Sequence, residues 1–126
     1  MKERLSDISE KTLIDMCRKG DRNAQMELYY RYYKAMYNTS LRILGRIEDA
    51  EDAMQEGFIK AFRRIHEFEG RSGFGHWLKT IVINTSIDRF RKRRRLMEAE
   101  LSEENIVEEG DDWHDGADEE DLAIQA

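Results

Sequence analysis

Residues 77–95 read W-L-K-T-I-V-I-N-T-S-I-D-R-F-R-K-R-R-R, with neither Pro nor Gly among them. Trp77, Leu78, Ile81, Val82 and Thr85 recur at three and four residues, and Ile83, Ile87 and Phe90 form a neighbouring stripe. The spacing predicts one long helix from Trp77 to Arg95, buried where it begins. Its far end, Arg91 to Arg95, is basic at every position. A helix built this way needs a core around its first half and leaves its second half to solvent or to an anion backbone.

The rest of the chain agrees with an all-α fold. There is no Pro in 126 residues, and 38% of them are charged. That length fits one modest core plus a tail. The formal charge of -6 conceals a division. Residues 1–95 hold all 21 Lys and Arg against 14 Asp and Glu, a net +7, whereas residues 96–126 hold the other 13 acids and no Lys or Arg. A basic body with an acidic end suggests a polyanionic partner such as nucleic acid. A solvated helix with a solubilising tail would show the same split. The single Cys17 cannot form an internal disulfide, which points to a reducing, cytoplasmic setting, and it reads as a small buried filler. No apolar run suits membrane insertion, and the N-terminus lacks the apolar core of a signal peptide.

Taken in order, Ser9 is placed to cap a first helix containing Thr12 to Lys19, ended by Gly20. Asp21 is placed to cap a second helix from Arg22 to Leu44, stopped by Gly45. Its tyrosines (Tyr29, Tyr30, Tyr33 and Tyr37) complete a core pattern. A third helix is expected over 47–67, with Ala50, Ala53, Met54, Gly57, Phe58, Ala61, Phe62 and Ile65 as its apolar stripe. On its polar side Glu48, Asp52, Gln55 and Glu56 form a short ridge. The ridge could receive a basic partner helix or simply face water. Residues 68–76 carry three glycines and read as a loop. Its Phe68 and Phe74 could stack an unpaired base, pin the loop to the core, or do both at once. The expected fold is therefore a compact bundle of about four helices over residues 1–96, with residues 97–126 a mostly disordered acidic linker.

Catalytic patterns are missing. The sequence has no phosphate-binding Gly-rich loop with its Lys, no H-E-x-x-H, no C-x-x-C and no nucleophile elbow. His66 and His76 stand apart from any nucleophile. His114 in the acidic end lacks metal-ligand spacing. Neither an enzyme nor a metal or cofactor is expected.

Several segments together resemble region 2 of the extracytoplasmic-function (ECF) sigma factors of bacteria. They are G-D-R-N-A-Q-M-E-L-Y-Y-R-Y (20–32), A-E-D-A-M-Q-E-G-F-I-K-A-F (50–62), F-E-G-R-S-G-F-G-H-W-L-K-T-I-V-I-N (68–84) and the basic helix end. The resemblance spans about residues 9–95, and its motifs fall in the family's order and spacing. It implies a domain that binds core RNA polymerase, recognises the promoter -10 element and helps melt DNA. Docking on the β′ clamp coiled coil would fall to Asp52, Gln55, Glu56, Phe58 and Phe62. The loop from Phe68 to His76, with Arg71 and Phe74, would capture a base flipped from the non-template strand. Trp77, Lys79, Asn84 and Asp88 would complete that DNA surface. Arg89, Arg91, Lys92, Arg93, Arg94 and Arg95 would hold phosphates. The resemblance also implies an anti-sigma protein as a regulator. A helical module held by such a regulator, with little DNA affinity alone, is the competing reading. The chain ends before any helix-turn-helix pattern of the family's region 4. It is thus expected to be a domain fragment whose acidic end corresponds to the inter-domain linker.

Overall fold

The computed structural model describes residues 4–103, and these form four α-helices and two short 3-10 turns. The helices are α1 (Glu10–Arg18), α2 (Arg22–Leu44), α3 (Ile47–Arg63) and α4 (Phe74–Glu103), and the turns are Leu5–Asp7 and Ile65–Glu67. The expected all-α bundle is the fold observed. The sequence signals for the first two helices operate as chemistry requires. Ser9 Oγ accepts from Thr12 N–H and Asp21 Oδ1 from Ala24 N–H, each satisfying one orphan donor of a first turn. Gly45 closes α2 at φ 73°, a left-handed conformation that a side chain would strain. Glu48 and Asp49 open α3 and Arg63 closes it, which matches the helix dipole.

Three boundaries differ from expectation, each for a stated reason. The third helix ends at Arg63 rather than 67. A 3-10 turn follows because the chain must tighten to bring Ile65 and Phe68 inward, and both are buried. The following helix starts at Phe74, not Trp77, because Phe74 is drawn into the core at 1% exposure and carries the first turn with it. The helix also continues through Glu103. Leu96, Met97, Glu98, Ala99 and Glu100 are good helix formers, and Arg94 pairs with Glu98 one turn on, at 3.3 Å. The boundary placed between residues 96 and 97 therefore lies inside a continuous helix, and residues 97–103 are helical. Residues 104–126, which hold most of the expected linker and His114, lie outside the described residues.

The core is shared by all four helices. Leu13, Ile14 and Cys17 of α1, Leu28 and Met36 of α2, Met54, Phe58 and Ala61 of α3, and Leu78 and Val82 of α4 are buried together. Burial pushes the Cys17 thiol up to about 11, with the Asp21 carboxylate adding to it, so the group stays protonated and inert at neutral pH. Tyr32 packs beside Phe74, and its hydroxyl donates to Glu10. Burial and that bond push its hydroxyl up to about 12. Between α2 and α4, Ser40 and Ser86 meet through a buried hydroxyl hydrogen bond of 2.8 Å. Between α3 and α4, a Cβ on Gly57 would stand 2.8 Å from Val82 Cγ2 and 3.2 Å from Val82 Cα. Gly57→Ala is therefore expected to destabilise the domain by about 1–3 kcal/mol despite its better helix propensity. Urea denaturation of the two chains checks this, and a more stable variant would refute it.

These contacts set the register. Tyr32 lies by Gly75, Ser40 by Ser86, and the Leu44 carbonyl by Arg93, so α2 and α4 run parallel. Gly57 meets Val82 and Asp49 meets Arg93, so α3 runs antiparallel to α4. Because α2 stops opposite Arg93, the last ten residues of α4 extend beyond the bundle, by roughly 15 Å at the helical rise.

Candidate polymerase and nucleic-acid interface

The exposed side of α3 follows from its helical phase. Gly57 points at α4 and Phe58 toward α2, where it meets the Tyr29 ring edge-on at 4.7 Å. At about 100° per residue the outward face then holds Asp52, Gln55, Glu56 and Ile59. Asp52, Gln55 and Glu56, expected to dock a partner, do stand on the surface. Phe58, expected to join them, does not: it is 3% exposed and belongs to the core. Phe62 is half-buried and leans on Phe58 at 6.0 Å. Ile59, by contrast, is 51% exposed among the polar residues of the ridge. Ile59 falls off the core stripe of α3. An apolar residue out of phase with the core was the available signal.

The loop before α4 holds its two phenylalanines inward. Phe68 and Phe74 pack edge-on at 5.8 Å, and Trp77 lies against both, at 5.3 and 5.8 Å. Phe68 and Phe74 are core residues, so the expectation that they offer a stacking platform to a base is corrected. Between the two readings of the loop aromatics, these rings take the pinning role. Arg18 fixes the same loop from α1, donating to the Phe68 carbonyl at 2.6 Å. Arg71 is left pointing outward, beside Glu69 at 3.1 Å.

What the loop and α4 do form is a cleft of about 370 Å³, lined by Lys60, Arg64, Ser72, His76, Trp77, Thr80, Ile81, Asn84, Thr85 and Asp88. It brings together four residues expected to face DNA: His76, Trp77, Asn84 and Asp88. The buried side chains of Ile81 and Thr85 make its floor, and Asn84 and Asp88 are exposed at its edge. Lys60, not among the residues expected to face DNA, reaches in from α3 and donates to Thr85 Oγ1 at 3.3 Å. An amide that can donate and accept, a half-buried indole and a cationic rim suit a planar polar group such as a base. Lys79 is not in this cleft. It lines a separate one of about 510 Å³ between α2 and α4, with Asn38 and Arg42.

The basic stretch of α4 is not uniformly free for phosphates. Arg93 bonds Asp49 and donates to the Leu44 carbonyl at 3.2 Å, tying α4 to the turn between α2 and α3. Arg89 faces Asp52 and Glu56 of α3. Arg94 pairs along its own helix with Glu98. Lys92 and Arg95 are exposed, and Arg91 is half-buried. Among the described residues, no group of three or more His, Cys, Asp or Glu side chains is placed to hold a metal ion, and no helix is long and apolar enough to cross a membrane.

Residues 28–96 match the family Sigma-70 region 2. The chain is 37% identical over 84 residues to the ECF RNA polymerase sigma factor SigW of Bacillus subtilis, covering 67% of this chain and 45% of that protein. It is 35% identical over 79 residues to the ECF RNA polymerase sigma-E factor of Haemophilus influenzae, covering 63% of this chain and 41% of that protein. The chain thus spans less than half the length of these relatives. Among solved structures, an engineered region 2 of sigmaE, determined by NMR in complex with GTAAAA, superposes with a TM-score of 0.68. Its sequence identity is 30%, and the match covers 78% of this chain and 99% of that one.

Proposed function

The chain belongs to the Sigma-70 region 2 family, in its extracytoplasmic-function branch, and from that premise we propose that it serves transcription initiation in the bacterial cytoplasm by docking on core RNA polymerase and holding the melted -10 strand of a promoter. Likeness to a region 2 in complex with GTAAAA carries this reading. The cleft beside Asn84 supports it chemically. Flipping a base costs a few kcal/mol, and a pocket returns that through stacking and edge hydrogen bonds, for which Trp77, His76 and Asn84 are the candidates. Phosphates would be held by Lys92 and Arg95, whose charge positions the strand without reading it. Docking on the clamp coiled coil of β′ is assigned to Asp52, Gln55, Glu56 and Ile59, with Phe58 and Phe62 supporting them from beneath. No catalytic chemistry is proposed.

Capture of the chain by purified core RNA polymerase tests the docking face. A Gln55→Ala, Glu56→Ala double variant and an Ile59→Asp variant are each expected to lose retention while keeping wild-type helicity. Retention equal to wild type in both would place docking elsewhere. An anti-sigma protein is proposed as a second partner. The exposed apolar side chains Leu96, Met97 and Leu101 near the end of α4 favour a protein contact there.

A further inference from the structure

One residue belongs to both proposed surfaces. Arg89 lies in the basic stretch of α4, yet its guanidinium turns back to α3. Its Nη2 stands 3.5 Å from Asp52 Oδ2 and its Nη1 3.8 Å from Glu56 Oε1. Those two carboxylates belong to the docking ridge. Glu56 is also 3.4 Å from Lys60 Nζ, whose other contact, with Thr85, leads into the cleft. The Arg89 pairs are long and solvent-exposed, and pairs of this kind contribute little to stability, so they exchange readily. Arg93 differs. Its bonds to Asp49 and to the Leu44 carbonyl tie three helices at a site only about a quarter exposed, and it stays in place.

We propose that Arg89 couples the two faces as an exchangeable contact. In the free chain Asp52 and Glu56 hold Arg89 against α3 and withhold one positive charge from α4. A cationic partner segment that docks on the ridge takes over the same carboxylates and releases Arg89 toward a phosphate. This rests on the docking and strand-holding reading above, and it adds a consequence that neither surface has alone. Neutralising the ridge should abolish docking and, at the same time, strengthen DNA binding by the free chain.

The test uses the full chain and a fluorescent (dT)12 strand, which reads phosphate contacts without sequence preference. Asp52→Asn with Glu56→Gln is expected to tighten binding roughly eightfold at 50 mM salt and roughly threefold at 200 mM. That is the gain from one added single-strand phosphate contact counted from 1 M salt, with a slope steeper by about 0.7. Two fewer acids would raise affinity somewhat by net charge alone. Asp7→Asn with Glu51→Gln, which removes two exposed acids outside the ridge, measures that background. In an Arg89→Gln chain the Asp52→Asn, Glu56→Gln change should add no more than this background. A gain that persists without Arg89, or a gain no larger than the background with Arg89 present, overturns the coupling. Polymerase capture of the same variants reads docking separately, so failure of the docking face and failure of the coupling give different results.

Discussion

Replacing Phe74 by Ala is expected to cost the domain about 3–5 kcal/mol, the range for deleting a buried aromatic ring. Phe74 is 1% exposed and lies among Tyr32, Phe68 and Trp77. A domain with 100 described residues has about 5–15 kcal/mol in total, so the variant should be largely destabilised, with a much lower urea midpoint by far-UV circular dichroism. Phe74→Leu should recover most of the loss because it refills most of the volume. A Phe74→Ala chain with wild-type stability and impaired DNA binding would restore the ring to a base-stacking role. The substitution therefore separates the two uses of an aromatic that its position on a Gly-rich loop leaves open.

Asn84→Ala should do the opposite. Asn84 is exposed at the rim of the cleft, and no core contact depends on it. Stability should stay within about 0.5 kcal/mol of wild type. Sequence preference should fall by about 1–3 kcal/mol, the value of one good amide–base pair and roughly 5- to 150-fold in the ratio of affinities. The ratio is best measured by anisotropy between a single-stranded hexamer selected from a random pool against the wild-type chain and its shuffled counterpart. Unchanged preference would remove Asn84 from base recognition.

The helices and their starts were legible because they rest on local chemistry. Ser9, Asp21 and Gly45 act on neighbours within four residues, and such signals survive in the sequence. The loop was less legible. Phe68 and Phe74 have the composition of either a stacking platform or a pin, and only the register of α4 against α2 decides. The partners of Arg89 and Arg93 were not legible at all, since they lie 37 and 44 residues away on a helix whose phase is set by the Gly57–Val82 contact. Ile59 was visible in principle: an apolar side chain on the polar side of a clean stripe has to be explained. The end of α4 was misjudged because net acidity was read as disorder, although Leu, Met, Ala and Glu favour helix as strongly as the basic residues before them.

The ten residues of α4 beyond the bundle act as an outrigger. A helix that continues past its last supporting neighbour keeps its direction, so Glu103 stands along the α4 axis about 15 Å beyond the end of α2. Glu98 and Glu100 are held on the same rod as Arg91 to Arg95 and reach back by no more than about one turn, as Glu98 does to Arg94. The rod thus separates opposite charges in space as well as in sequence. It gives α4 an electric polarity along its axis, with Arg91 to Arg95 nearer the bundle and Glu98 and Glu100 farther out. A molecule so polarised approaches a negatively charged strand in a preferred orientation before any contact is made.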